Sequence, residues 1–175
     1  MAGRDTPMTI DELLAQARAM LPHRPTPAEA LHAQVRGALL VDIRGDSQRR
    51  DGLIPAAIVV PRNSLEWRCD PASEGRHPAI TRWDLHIILI CHQGYQSSLA
   101  AATLQHLGLI HATDLDGGFT AWAAAGLPVI APLPAGQDPS GNPHPDRSPG
   151  IGEPVGGGQR AAAAASFPTR PGFRL

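Results

Sequence analysis

The chain has 175 residues with 15 basic and 16 acidic side chains, which gives a formal net charge of -1 at pH 7. A chain of this length builds one domain of ordinary size with some residues left over, and it is too short for two. The balanced charge does not indicate a nucleic acid, an anionic membrane or a polyacidic partner, so we expect a small or polar ligand.

The two cysteines, Cys69 and Cys91, are too few for a disulfide framework in a chain of this size, and we expect both to be reduced thiols. Acidic residues and a proline stand near the N-terminus, where a secretory signal peptide has an apolar run. The apolar run at 87–91 is far too short to cross a bilayer. These features predict a cytoplasmic protein.

The predicted elements begin with two helices, at 10–20 and 27–36, and a Thr-x-x-Glu capping box precedes each. Runs of β-forming residues then predict buried strands, and stretches that end in glycine predict helices. In chain order these are strands at 38–43, 57–60 and 87–90, a helix at 98–107, a strand at 112–115 and a helix at 119–125. The Arg, Asp, Pro and Gly clusters between the first strands predict loops.

Strands that alternate with helices predict an α/β fold, a central mostly parallel sheet with helices on both faces. We divide the chain into an N-terminal helix and linker at 1–25, a globular domain at 26–132, and a Pro/Gly/Ala-rich tail at 133–175. The tail has too few large apolar residues to offset its ordering entropy, so it is predicted to be disordered, with a docking role for Phe167 and Phe173 as the alternative.

Cys91 lies at the carboxyl end of the predicted strand 87–90, the edge where parallel α/β sheets place their binding sites. The loop 92–96 leads from it to the predicted helix, whose unpaired N–H groups and dipole stabilise an anion. Gly94 lets the loop curl its amides around one point. The pattern predicts a cradle for a reactive thiolate. The alternative is that Cys91 is only a small apolar residue at a strand end.

Four blocks of sequence resemble one family, the rhodanese-like (sulfurtransferase) domains, and in particular single-domain proteins of actinobacterial type. They lie in order within about 26–129. LLVDIR resembles the first strand with its Asp-x-Arg ending, and DGLIPAAIVVPRN the Gly-His-Ile-Pro-Gly-Ala block, with Leu53 in place of His and Ala56 in place of Gly. CHQGYQS resembles the active-site loop, and DLDGGFTAWAAAGLPV the closing strand, Gly-Gly turn and Trp-bearing helix.

The resemblance implies that Cys91 attacks the outer sulfur of a donor and becomes a persulfide, which then passes that sulfur to cyanide or a thiol. It implies no metal and no organic cofactor, and a protein acceptor is a further possible partner. The implied substrate-binding residues are the loop residues and one arginine: His92, Gln93, Gly94, Tyr95, Gln96, Ser97 and Arg44. The alternative function is a weakly catalytic rhodanese-like module that binds a partner or relays sulfur within a protein complex.

The sequence departs from the family pattern at Gln96, where the loop often ends in Arg. Without that charge, thiosulfate is expected to be held less tightly, unless Arg44 or His92 supplies the cation. A polysulfide or a low-molecular-weight persulfide is therefore also a candidate donor. Arg44 has a second interpretation as half of a surface ion pair with Asp42.

Other functions are disfavoured by spacing. The related dual-specificity phosphatases have a loop that closes in Arg six positions after the cysteine, and Ser97 stands there. Nothing in the loop could therefore clamp three oxygens, which predicts against phosphatase and arsenate reductase activity. The histidines show no metal-binding spacing. Cys69 shows no redox-pair spacing with Cys91, which disfavours a role as a resolving thiol.

Overall fold

The structure, a computed structural model, describes residues 7–132, and the predicted tail at 133–175 lies outside these residues. The described chain forms a four-stranded parallel sheet in the order β2-β1-β3-β4. Its strands are β1 (Leu39–Asp42), β2 (Ile58–Val59), β3 (Ile87–Ile90) and β4 (Ala112–Asp114). An antiparallel bridge between Leu53 and Ile130 lies outside the named strands.

The helices are α1 (Ile10–Met20), α2 (Pro27–Val35), α3 (Asp46–Arg49), α4 (Leu65–Cys69), α5 (Gln96–His106) and α6 (Gly118–Ala124). Successive residues of a strand face opposite sides of a sheet, so every second residue of β3 belongs to the same core. Ile87 and Leu89 pack with buried residues of α4 and α5, whereas Ile88 and Ile90 pack with buried residues of α2 and α6. The predicted α/β fold with helices on both faces is confirmed.

Both predicted capping boxes are present. Thr9 and Glu12 exchange hydrogen bonds at the start of α1, and Thr26 and Glu29 do so at the start of α2. Each box satisfies two N–H groups that a helix start otherwise leaves unpaired. Among residues 7–132, no helix is both long enough and apolar enough to cross a membrane.

The predicted loops around the second strand were wrong in part, because they contain the short helices α3 and α4 and a 3-10 turn at Arg62–Ser64. One turn of helix carries too little periodicity to be recognised in a sequence. In α4, Leu65 and Cys69 lie four residues apart on one face, and both are fully buried. Tertiary packing therefore stabilises this helix rather than its own sequence pattern.

Candidate active site

The thiol of Cys91 lies at the carboxyl end of β3 and is 5 % exposed. The backbone N–H of Gly94 donates a hydrogen bond to Cys91 Sγ over 3.1 Å. The hydroxyl oxygen of Ser97 also lies 3.1 Å from the sulfur. This amide and this hydroxyl are hydrogen-bond partners of the sulfur, and donors at such a distance can stabilise negative charge on a sulfur atom. The anion cradle itself stays a prediction.

Two glycines allow the loop that follows β3 to lie against the turn that precedes α6. Gly94 has φ +78°, and a Cβ there would come within 2.9 Å of the Gly117 nitrogen. Gly118 has φ +61°, and a Cβ there would lie 2.6 Å from the carbonyl oxygen of Cys91. Only glycine allows both the left-handed dihedrals and this close approach of two backbones.

The first turn of α6 donates hydrogen bonds to carbonyl groups of the cysteine loop. The Phe119 N–H donates to the Cys91 carbonyl over 2.9 Å, and the Thr120 N–H donates to the His92 carbonyl over 3.0 Å. The Thr120 hydroxyl donates to the same His92 carbonyl over 2.9 Å. These contacts attach the first two residues of the cysteine loop to the start of α6.

A buried carboxylate lies on the far side of Ser97. Asp114, the last residue of β4, is fully buried and accepts hydrogen bonds from the hydroxyls of Ser97 and Ser98, each over 2.9 Å. Arg24 Nε donates to Asp114 over 2.8 Å, and the same guanidinium pairs with Asp116 over 2.7 Å. Partial burial lowers the pKa of the Arg24 guanidinium, but the hydrogen bonds and charges of Asp114 and Asp116 outweigh that effect and raise the pKa above its ordinary value. The contacts therefore form a series in which Cys91 contacts Ser97, Ser97 contacts Asp114, and Asp114 contacts Arg24.

Two arginines of the N-terminal segment, Arg18 and Arg24, also donate hydrogen bonds to the backbone of the cysteine loop. Arg18, in α1, donates to the Gly94 carbonyl over 2.9 Å, and Arg24 donates to the same oxygen over 3.2 Å. Arg18 Nε further contacts Ser98 Oγ at 3.3 Å, and its guanidinium lies 5.5 Å from the centre of the Tyr95 ring. Two guanidinium groups therefore polarise the peptide group between Gly94 and Tyr95.

Comparison with known families agrees with this geometry. A family model described as the rhodanese-like domain matches residues 26–125. The chain belongs to the rhodanese-like domain family. It is 32 % identical over 100 residues to a sulfurtransferase of Allochromatium vinosum, a match that covers 57 % of this chain and 85 % of that protein. It is 33 % identical over 103 residues to the thiosulfate sulfurtransferase GlpE of Ectopseudomonas mendocina, which covers 58 % of this chain and 84 % of the relative.

Among solved structures, the protein RPA3614 of Rhodopseudomonas palustris is similar with a TM-score of 0.64 and 32 % identity. The match covers 74 % of this chain and 99 % of that one. The relative is described as a protein of unknown function and a possible tyrosine phosphatase. This structural similarity agrees with the α/β fold of the rhodanese-like domain.

The predicted loop residues of this rhodanese-like domain have different degrees of exposure. Gln93, Tyr95 and Gln96 are exposed, with Tyr95 at 59 %. His92 is half-buried, and within the described residues no hydrogen-bond partner faces its buried Nδ1 atom. The side chains at the mouth of the loop are therefore polar, and none of them is an arginine or a lysine.

The interpretation of Arg44 as half of a surface ion pair is wrong. Its ion pair with Asp42 is buried rather than at the surface, with a 2.7 Å contact and a fully buried arginine side chain. The remaining guanidinium N–H groups donate to the carbonyl oxygens of Gln48 and Gly52, and the Phe119 ring centre lies 3.7 Å from the guanidinium carbon. These contacts enclose the Arg44 guanidinium, and its role in substrate binding stays a prediction.

Sequence reasoning missed Arg18, Arg24 and Asp114. Asp114 lies within a block matched to the family, but nothing in the local sequence shows that its carboxylate faces Ser97. Arg18 and Arg24 precede the matched blocks, and their contacts with the loop span 70 or more residues of sequence.

Cys69 is fully buried in the core, and this burial raises the pKa of its thiol to about 12. Within residues 7–132, no group of His, Cys, Asp or Glu side chains is arranged to hold a metal ion.

Proposed function

We propose that the protein is a sulfurtransferase that carries a sulfane sulfur atom as a persulfide on Cys91. The observation that carries the proposal is the position of the Cys91 sulfur, 3.1 Å from both the Gly94 amide and the Ser97 hydroxyl. Such donors favour a sulfur anion, which is the attacking group in the first step and the leaving group in the second. Membership of the family and two relatives named as sulfurtransferases support this chemistry.

The reaction has two displacement steps at sulfur. The Cys91 thiolate attacks the outer sulfur of the donor, the donor's bond to that sulfur breaks, and its electron pair leaves with the rest of the donor. The negative charge then lies on the terminal sulfur of the persulfide. An acceptor thiolate or cyanide attacks this terminal sulfur, and the Cys91 thiolate is released next to the Gly94 amide. These steps transfer a sulfur atom without a metal or an organic cofactor.

The charges around the loop favour a donor that has no sulfonate group. Gln96 is neutral, Arg44 is enclosed by its own partners, and Arg18 donates to a carbonyl behind the loop. Residues 92–97 of the loop include no guanidinium that could hold the sulfonate oxygens of thiosulfate, whereas a persulfide or polysulfide has no sulfonate group to hold. We therefore propose a low-molecular-weight persulfide or a polysulfide as the preferred donor, and a thiol, on a small molecule or a protein, as the acceptor.

The deciding experiment is an intact-mass measurement after incubation with glutathione persulfide and, separately, with thiosulfate. We expect the wild type to gain one sulfur atom, faster from the persulfide, and to lose it when cyanide is added. Cys91→Ser is the matched control and is expected to gain none, although Cys69 is still present. If neither donor adds sulfur to the wild type, the proposal is wrong and the partner-binding or relay module takes its place.

Restoring the family's charge tests the donor argument. Gln96→Arg places a guanidinium at the first residue of α5, and we expect it to lower the KM for thiosulfate several-fold. Gln93→Arg is the matched control, since it adds the same charge to another exposed position of the loop. Equal effects of the two substitutions would show a general gain in positive charge, and no effect of either would contradict the argument.

Phosphate ester hydrolysis is the second candidate, because the similar solved structure is described as a possible tyrosine phosphatase. In the present loop, Ser97 holds the position at which the related phosphatases have arginine. Its hydroxyl contacts the Cys91 sulfur and the Asp114 carboxylate, and it offers no bidentate donor to a phosphate group. We expect no hydrolysis of p-nitrophenyl phosphate, and a Cys91-dependent rate with that ester would favour the phosphatase instead.

A further inference from the structure

The hydroxyl of Ser97 lies between two groups that can both accept its single proton. Its oxygen is 3.1 Å from Cys91 Sγ and 2.9 Å from Asp114 Oδ2. When Cys91 is a neutral thiol, its S–H can donate to the Ser97 oxygen while Ser97 donates to Asp114. When the sulfur is a thiolate, it has no proton to donate, and a hydrogen bond between the two requires the Ser97 hydroxyl to turn toward the sulfur.

Asp114 can lose the hydrogen bond from Ser97 and still be paired. Its side chain is fully buried, so an unpaired carboxylate would be strongly unfavourable there. Arg24 donates to both of its oxygens, over 2.8 and 3.2 Å, and the Ser98 hydroxyl lies 2.9 Å from Oδ2. The carboxylate therefore competes for the proton of Ser97 without depending on it.

We propose that Asp114 is a positioning residue that controls the hydroxyl of Ser97 during sulfur transfer. The hydroxyl donates to Cys91 Sγ while that sulfur carries negative charge, before the donor is attacked and again when the acceptor leaves with the sulfur atom. It turns to Asp114 once the charge has moved to the terminal sulfur of the persulfide. This inference rests on the proposed function, and it adds a residue that acts on Cys91 only through Ser97.

One consequence can be measured without any sulfur donor. In the resting thiol, Asp114 draws the hydroxyl proton of Ser97 away from Cys91 and thereby opposes ionisation of the thiol. Weakening this acceptor frees the hydroxyl to stabilise the thiolate, which is the form that reacts with alkylating agents. The effect should require Ser97, whereas a direct effect of charge on the sulfur should not.

The test weakens the acceptor while conserving net charge, because asparagine offers Ser97 a neutral amide oxygen in place of a carboxylate. The double variant Arg24→Gln, Asp114→Asn eliminates one positive and one negative group together. Iodoacetamide alkylation of Cys91 is followed by peptide mass between pH 5.5 and 8.5. We expect the rate at pH 6.5 to rise roughly fivefold, the size expected from one charge-assisted hydrogen bond of modest strength, and the rate–pH profile to move to lower pH. Adding Ser97→Ala should cancel the rise.

Thr103→Val is the matched control, since it removes another hydroxyl of α5, one that donates to the Leu99 carbonyl rather than to the active site. It should leave the alkylation rate within twofold of the wild type. Near-ultraviolet circular dichroism and a thermal melt check that each variant is folded. If the double variant does not fold, Asp114→Asn alone is compared with and without Ser97→Ala.

The outcomes separate this inference from the proposed function. A rate gain that disappears with Ser97→Ala supports the role of Asp114, whether or not the wild type takes up sulfur. A gain that persists without Ser97, or no gain at all, overturns it even if the persulfide forms. Failure of the wild type to take up sulfur overturns the proposed function, and the role of Ser97 would then concern ionisation of the thiol alone.

Discussion

A Cβ atom on Gly118 would collide with the backbone of the cysteine loop. It would lie 2.6 Å from the carbonyl oxygen of Cys91, 2.7 Å from the nitrogen of Gly94 and 2.8 Å from that of Gln93. Backbone atoms cannot move aside as the end of a flexible side chain can. The loop itself must therefore shift, and with it the Gly94 amide that donates to the Cys91 sulfur.

Gly118→Ala is expected to destabilise the protein by about 3 kcal/mol, the sum of an unfavourable left-handed φ and local overpacking. We also expect it to abolish sulfur loading, because the donor to Cys91 is displaced. Gly126→Ala is the matched control, since it has a similar φ of +68° but no atom within 4 Å of the added Cβ. Gly126→Ala should lower the free energy of unfolding, measured in urea, by only about 1–2 kcal/mol, and it should leave sulfur loading intact. Equal losses for the two variants would contradict the argument.

His86 lies in a groove of about 420 Å³ at the amino ends of the strands, the opposite edge of the sheet from Cys91. Partial burial of the ring in this groove, followed by the nearby charges of His111 and Arg36, lowers the pKa of His86. The unfolded chain therefore binds a proton at higher pH than the folded chain does. As the pH falls through the ordinary histidine range, His86 progressively destabilises the fold.

His86→Gln removes this titration. We expect the stability of the variant minus that of the wild type to be larger at pH 5 than at pH 7.5, because only the wild type carries the destabilising contribution of His86. The urea midpoints of both proteins at both pH values measure the difference. If the variant is instead less stable relative to the wild type at pH 5 than at pH 7.5, the folded state binds the proton more tightly than the unfolded state does.

The start of α5 shows how contacts with a distant residue change the start of a helix. Serine is a common N-cap, and the sequence predicts a helix from Ser98. The helix begins two residues earlier, at Gln96, and its N-cap residue Tyr95 provides no side-chain hydrogen bond. Ser97 and Ser98 lie inside the helix, and their hydroxyls contact Asp114 rather than cap the helix.

The start of α2 is capped in the ordinary way, which makes it a test of local stabilisation. The Thr26 side chain accepts from the Glu29 N–H over 3.4 Å, and Glu29 accepts from the Thr26 N–H over 2.8 Å. Thr26→Ala should cost about 1 kcal/mol in urea unfolding, and Thr26→Ser should restore most of it because it keeps the capping oxygen. An alanine variant as stable as the wild type would show that the capping box contributes nothing measurable.

The pair of Asp42 and Arg44 connects several parts of the described structure. Asp42 ends β1, and Arg44 donates to the carbonyl groups of Gln48 and Gly52 while its guanidinium lies over the Phe119 ring of α6. Strand β1, helices α3 and α6 and the turn at Gly52 therefore meet at one buried guanidinium. Breaking such a pair is costly because the remaining charge has no water around it.

Arg44→Met is expected to destabilise the protein by about 3–5 kcal/mol, since it leaves the Asp42 carboxylate buried and unpaired. Arg62→Met is the matched control, because Arg62 pairs with Glu66 in α4 at a partly exposed site, where a loss of at most about 1 kcal/mol is expected. Urea unfolding at pH 7 compares the two. Similar losses would show that burial does not set the strength of these pairs.

Much of the fold follows from patterns within short stretches of chain. Apolar runs predict all four described strands, and the Thr-x-x-Glu boxes predict α1 and α2 with their starts at the observed residues. Cys91 could be placed at the edge of the sheet because the carboxyl end of a parallel strand is where the chain leaves for its helix. These inferences succeed because helix caps and strand periodicity depend on residues that are close together in sequence.

The environment of the thiol was decided by the tertiary structure. Arg24 meets Asp114 across 90 residues of sequence, and Arg18 meets Gly94 across 76. The burial of Arg44 could not be predicted from the sequence either, since Asp42 and Arg44 could equally form an exposed ion pair. A side chain's partner and its burial depend on which distant segments pack together. The family resemblance, the main elements and the position of the thiol therefore follow from local patterns in the sequence, whereas the charges that surround the thiol depend on the packing of distant segments.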